Sequence, residues 1–99
     1  MRRLIVNADD FGFTPGVNRA IVEAHTLGVV TSSTLMANRP AFGEATQMAK
    51  ASPALSLGCH LVLIDGEPVL DPSKLPTMTH SRRFRDGLKM SLRVPLPDA

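Results

Sequence analysis

The sequence predicts an α/β fold in which about three parallel strands are covered by helices. Three runs rich in Val, Ile, Leu and Thr, at 3–9, 29–37 and 55–63, have the composition of strands. Two segments between them, at 14–28 and 40–51, repeat apolar residues with a helical period. Strands and helices that alternate through short connections form right-handed βαβ units, so the strands are expected to share one parallel sheet.

Specific residues predict where the first strand ends and where the first helix begins and ends. The strand run stops at two adjacent carboxylates, Asp9 and Asp10, and is expected to be buried on both faces. Thr14 is a good N-cap, and Pro15 suits the first helical position. Gly28 is expected to end the helix. The helical period predicts an apolar side (Val17, Ala20, Ile21, Ala24) and places four polar residues elsewhere on the wheel (Asn18, Arg19, Glu23, Thr26).

The later elements are separated by residues that break regular structure. The tripeptide at 38–40 ends the second strand, and Ser52-Pro53 ends the second helix. Beyond Ile64, segment 65–85 is predicted to be a long functional or covering loop, because ordinary connections are shorter. Segment 86–99 is predicted to be a short helix and a frayed tail.

Composition and charge exclude several classes of protein. The 99 residues are 43% apolar and 20% charged, which is ordinary for one globular domain. A net charge of +2 argues against nucleic acid as a partner. The single cysteine, Cys59, excludes an intrachain disulfide and fits a reducing compartment. No run approaches the roughly 20 apolar residues that span a bilayer, so a cytoplasmic location is the expectation.

The pair Asp9 and Asp10 is the first candidate for chemistry. Two neighbouring carboxylates at the end of a strand repel one another unless a cation or hydrogen-bond donors lie beside them. A divalent metal bound by one of them would leave the other free to take a proton from water. The structural alternative is that one Asp caps a turn through its side chain, which Asp often does. A glycosidase that pairs Asp9 with a more distant acid is a third interpretation.

His60 is the second candidate, because it lies in the third strand run near the same expected edge as Asp10. The alternative is a core histidine bonded to a carbonyl. Asp oxygen and His nitrogen suit zinc, iron, manganese or cobalt, and suit magnesium less well. A catalytic zinc usually has three protein ligands, and His80 in the long loop is a candidate for the third. A Cys59–His60 nucleophile pair is excluded, since neighbours on a strand point to opposite faces.

Several ordered motifs give the chain a resemblance to a known family. It resembles the YdjC-like carbohydrate deacetylases, and the segment 60–70 is most similar to the subgroup associated with hopanoid biosynthesis. The resemblance runs from residue 3 to about residue 85. The motifs are Ala8-Asp9-Asp10-Phe11-Gly12, Val17-Asn18 with Ala20-Ile21, Thr31-Ser32-Ser33-Thr34-Leu35-Met36 and Gly58-Cys59-His60-Leu61.

This resemblance implies a (β/α) barrel, a divalent metal (Zn, Mg or Co) and an N-acetylated sugar as substrate. Asp9 would match the general base of the family, and Asp10 and His60 would match two metal ligands. The reaction would release acetate and leave a free amine. In the hopanoid-associated subgroup the substrate would be an N-acetylglucosaminyl hopanoid lipid.

The resemblance also implies that the chain corresponds to the first part of a truncated barrel. Residues 1–99 would be the N-terminal portion, with a core at about 3–64, and the third metal ligand would lie on a later strand. Three strands cannot close a barrel, so open sheet edges make homo-oligomerisation an expectation. The alternative function is a catalytically inactive α/β chain that acts as an oligomeric or binding module.

Overall fold

The computed structural model describes residues 1–87, and the chain divides into two units, the first ending at Leu61 and the second beginning at Val62. The first unit confirms the predicted α/β fold. Its elements follow in the order β1 (Asn7–Phe11), α1 (Pro15–Thr26), β2 (Ser32–Leu35), α2 (Phe42–Ala51) and β3 (Ser56–Cys59). No helix in this described part of the chain is long and apolar enough to cross a bilayer.

The three strands form one parallel sheet in the order β1-β2-β3. Asn7 pairs with Ser32, and Ser32 pairs with Ser56. Each strand is shorter than its predicted run, and β1 also begins later and continues two residues beyond the predicted end, to Phe11. Leu4 and Ile5, which were predicted to lie in the first strand, precede β1 and are 82% and 77% exposed.

Only one face of the sheet is covered by helices, so the prediction that β1 is buried on both faces is wrong for the described residues. The core on the covered face consists of Phe11, Ile21, Ala45 and Leu55. Ala8 packs against this core, and Ser33 is fully buried beside it. Asn7 and Asp9, which alternate with Ala8, are exposed on the other face. We call this second surface the open face of the sheet.

Helix α1 begins as predicted, with the Thr14 hydroxyl accepting from the Val17 N–H at 3.2 Å. It ends at Thr26, and a Cβ at Gly28 would lie 2.7 Å from the Ala24 carbonyl oxygen. Gly28 is therefore needed for the close passage of the chain out of the helix. The helical wheel was wrong about Asn18, which is fully buried.

The second unit contains a short 3₁₀ turn (Pro72–Lys74) and an antiparallel hairpin of β4 (Thr79–His80) and β5 (Arg83–Phe84). The segment predicted as a loop at 65–85 therefore contains some regular structure. The turn residues Ser81 and Arg82 both have positive φ, as in type I′ hairpins. Of the short helix and tail predicted at 86–99, all but the first two residues lie outside the described part.

Candidate active site at the carboxyl end of the sheet

A backbone irregularity at the end of β1 separates the two aspartates. Asp10 has φ +69°, in the left-handed region, and the pairing register with β2 shifts between Ala8 and Phe11. The Phe13 N–H donates to the Asp10 carbonyl at 3.0 Å and closes a tight turn. Asp tolerates left-handed backbone better than most residues. The irregularity gives neighbouring carboxylates different surroundings.

Asp9 lies on the open face and is held by two donors. The Asn7 side-chain N–H donates to Asp9 Oδ1 at 2.8 Å, and the Thr34 hydroxyl donates to the same oxygen at 2.7 Å. Two donors on one oxygen fix the rotation of a carboxylate. The other oxygen, Oδ2, receives no hydrogen bond within residues 1–87.

Asp10 lies beside His60, as the sequence predicted. The distance from Asp10 Oδ1 to His60 Nδ1 is 3.5 Å, and the two side chains are 53% and 29% exposed. The backbone N–H of His60 donates to the Leu35 carbonyl at 3.0 Å, which continues the β2–β3 pairing past Cys59. That hydrogen bond holds His60 at the carboxyl edge of the sheet.

The Nδ1 atom of His60 is buried and has no hydrogen-bond partner. The contact with Asp10 is longer than the usual range of about 2.7–3.2 Å for N–H···O bonds. Buried polar atoms are rarely left without a partner, and a cation shared with Asp10 would supply one for Nδ1 of His60. Two ligands bonded to one tetrahedral zinc at about 2.1 Å lie about 3.4 Å apart. The observed separation therefore fits a shared metal ion.

Two ligands are all that the described residues supply. Among residues 1–87 no group of three or more His, Cys, Asp or Glu side chains could hold a metal. His80, the candidate for the third ligand, lies in β4 of the second unit. Cys59 is a free, exposed thiol at the end of β3.

The buried side chain of Asn18 stabilises the turn after Asp10 through hydrogen bonds. Its Oδ1 accepts from the Gly12 N–H at 2.7 Å, and its Nδ2 donates to the Ala41 carbonyl at 3.1 Å and to Glu44 Oε2 at 2.8 Å. Gly12 has φ +99°, and a Cβ there would lie 3.1 Å from the Met36 carbonyl oxygen. The turn after β1 therefore requires glycine at position 12 and the buried side-chain amide of Asn18.

Two residues of this site were missed by the sequence prediction, Asn18 and Thr34. Asn18 precedes Ile21 by three positions and His25 by seven, which is the spacing of one helix face, and this spacing could have indicated its burial. Thr34 follows Ser33, the partner of Ala8, so the parallel register places it across from Asp9. Only the register of the two strands gives that signal.

Comparison with known proteins agrees with the fold and the motifs. A family model described as YdjC-like protein matches residues 3–96. The chain belongs to the YdjC-like family. Over 86 residues it is 54% identical to a carbohydrate deacetylase of Brevibacillus brevis (strain 47), covering 86% of this chain and 34% of that relative. Over 87 residues it is 51% identical to a chitooligosaccharide deacetylase of Salmonella schwarzengrund, covering 88% and 31%.

A solved structure shares the fold of this YdjC-like chain. It is a crystal structure from Enterococcus faecalis V583, of a protein provisionally named a cellobiose-phosphate cleavage protein. The TM-score is 0.86 at 38% sequence identity, and the match covers 92% of this chain and 36% of the other. The chain thus spans about a third of the length of the relatives it matches.

Proposed function

We propose that this YdjC-like chain carries part of the active site of a metal-dependent carbohydrate deacetylase, which hydrolyses the amide of an N-acetylated sugar. The observation that carries the proposal is the pair formed by Asp10 and the buried Nδ1 of His60, which has no hydrogen-bond partner. Relatives that are named carbohydrate or chitooligosaccharide deacetylases support the substrate class.

In this proposal Asp10 and His60 would hold a divalent cation, and Asp9 would remain unligated. A bound divalent metal polarises an amide carbonyl and lowers the pKa of a bound water. Asp9 acts as general base and accepts the proton of the attacking water at Oδ2. The oxygen of that water bonds to the acetamide carbonyl carbon, the C–N bond breaks, and the leaving nitrogen takes up a proton, giving acetate and the sugar amine. The described residues supply two of the ligands, so we propose that residues outside 1–87 complete the ligand set and provide the general acid.

Acetate release tests the proposed reaction. The chain is loaded with Zn²⁺, Co²⁺ or Mg²⁺ in turn and incubated with N,N′-diacetylchitobiose, and acetate is measured enzymatically. We expect metal-dependent release that Asp9→Asn reduces by at least about a hundredfold, the usual contribution of a general base. Asp71→Asn, which changes an exposed carboxylate in the second unit, is the matched control. Equal release from the original chain and Asp9→Asn would refute the assignment of Asp9.

The narrower substrate prediction concerns a glycolipid. Only the resemblance of segment 60–70 to the hopanoid-associated subgroup supports an N-acetylglucosaminyl hopanoid. Comparing the kcat/KM for this lipid in detergent with that for diacetylchitobiose tests it. A preference for the lipid would support the subgroup, and a preference for the soluble sugar would contradict it.

A second candidate function follows from the edges of the sheet. The order β1-β2-β3 leaves the outer edges of β1 and β3 without a partner strand among residues 1–87, and all four residues of β3 are exposed. Open edges favour pairing with another chain. An oligomeric binding module without catalysis would give a defined dimer by light scattering and no metal-dependent acetate release. A monomer that releases acetate would refute it.

A further inference from the structure

We propose that Asn7 and Thr34 are positioning residues that hold Oδ1 of Asp9 and thereby select Oδ2 as the oxygen that accepts the proton. This inference rests on the proposed function, because Asp9 acts as a base only in that reaction. It adds two residues on the open face to the machinery of the site.

The parallel register brings these side chains together. Asn7 and Asp9 are two residues apart on β1, so they project from the same face of the strand. Ser32 pairs with Asn7, and Thr34 lies two residues further along β2. A chain of hydrogen bonds therefore crosses the open face, from Ser32 to Asn7 and then to Asp9, with Thr34 donating to Asp9 from the other side.

The orientation of the Asn7 amide is fixed by its neighbours. The Ser32 hydroxyl donates to Asn7 Oδ1 at 2.7 Å, which leaves Asn7 Nδ2 to donate to Asp9 at 2.8 Å. The flipped amide would put its carbonyl oxygen against the carboxylate, and both groups are acceptors. The carboxylate of Asp9 therefore sets the amide orientation, and the Ser32 hydroxyl completes it by donating to Asn7 Oδ1.

The orientation of Thr34 is constrained in a similar way. Thr34 pairs with Gly58 on β3, and a Cβ at Gly58 would lie 3.4 Å from the Thr34 methyl carbon. The methyl group thus lies toward β3 and the hydroxyl toward Asp9. A β-branched side chain has few rotamers, so this arrangement directs the hydroxyl at little further cost in entropy.

Both donors bind Oδ1, so the carboxylate cannot rotate without losing two hydrogen bonds. Oδ2 has no partner within residues 1–87, which leaves its lone pairs available for a proton from water. Misplacing a reacting group by about 1 Å costs up to about a hundredfold in rate. We therefore expect the loss of either donor to lower kcat rather than to weaken substrate binding.

The first experiment tests the network without any turnover. In ¹H–¹⁵N spectra of the whole chain, the two side-chain N–H protons of Asn7 should have well separated shifts, because one donates to a carboxylate. Asp9→Ala and Ser32→Ala should each bring the two signals together, and Thr46→Val, which removes an exposed hydroxyl bonded to the Gly43 carbonyl, should leave them unchanged. Unchanged Asn7 signals in Asp9→Ala would overturn the proposal.

The second experiment uses acetate release from diacetylchitobiose. Thr34→Val should lower kcat by about tenfold or more and leave KM and the Co²⁺ dissociation constant within twofold, whereas Thr34→Ser should restore most of the activity. A parallel loss of Co²⁺ affinity, or equal defects in Thr34→Val and Thr34→Ser, would mean a structural role only and would overturn the proposal. If the original chain releases no acetate, turnover by this chain alone is refuted, and the Asn7 signals decide separately whether the network exists.

Discussion

The two faces of the three-stranded sheet differ in composition and in what they do. The covered face contains Phe11 and Ser33, both fully buried under the helices. The open face contains Asn7, Asp9 and Thr34, which are joined by hydrogen bonds through their side chains. Packing of apolar groups stabilises the fold, whereas an exposed hydrogen bond adds little net stability. Residues of the covered face therefore maintain the structure, and residues of the open face are available for chemistry.

The largest effect should come from the covered face. Phe11→Ala removes a fully buried aromatic ring from the core and should lower the free energy of unfolding by about 3–5 kcal/mol. Thr34→Val on the open face should change it by less than about 0.5 kcal/mol. Urea denaturation followed by circular dichroism measures both. Similar losses in the two variants would remove the distinction between the faces.

Asn18 should give the next largest effect, because it is a polar residue that belongs to the covered side. Asn18→Leu leaves the buried Gly12 N–H without its acceptor, which should cost about 1–3 kcal/mol of unfolding free energy. Gln47→Leu on the exposed side of α2 is the matched control and should cost less than about 0.5 kcal/mol. If Asn18→Leu were as stable as the control variant, the Asn18 side chain would not stabilise the turn at Gly12.

Substitutions that probe the backbone conformation at Asp9 and Asp10 should have the smallest effect on the free energy of unfolding. At Asp10, with φ +69°, Gly should be more stable than Ala by about 1 kcal/mol, since left-handed backbone penalises a Cβ. At Asp9, which is not among the residues with positive φ, the order should reverse, with Ala more stable by about 0.5–1 kcal/mol. Unfolding free energies of the four variants measure this. The same order at both positions would contradict the left-handed assignment of Asp10.

Much of the fold follows from local patterns in the sequence. The alternation of strand and helix, the Thr14 cap and the break at Ser52-Pro53 all depend on neighbouring residues, and the structure agrees with each. The ends of the strands could not be predicted, because apolar residues such as Leu4 extend beyond the point where pairing stops. The exposure of Asn7 and Asp9 on the open face was also missed, since burial depends on which face the helices cover.

The candidate site was predictable where its residues are neighbours in the sequence or lie at the same edge of the predicted sheet. Two carboxylates at the end of a strand indicated a site at Asp9 and Asp10, and the parallel sheet placed His60 at the same edge. The two aspartates have different surroundings because the backbone of Asp10 is left-handed, and no sequence pattern predicted that conformation. Thr34 required knowledge of the register, and Asn18 required knowledge of which helix face is buried.

A metal titration followed by NMR tests the central claim, that Asp10 and His60 share a divalent cation. Co²⁺ added to the ¹⁵N-labelled chain should shift or broaden the backbone signals of these two residues in a saturable manner. Asp10→Asn and His60→Gln should each weaken the Co²⁺ affinity by at least about tenfold, the lower end of what losing a supporting group costs a metal site. Asp9→Asn and His80→Gln should bind Co²⁺ as the original chain does. Equal binding by all four variants would contradict the account, because Co²⁺ would then bind without a contribution from either Asp10 or His60.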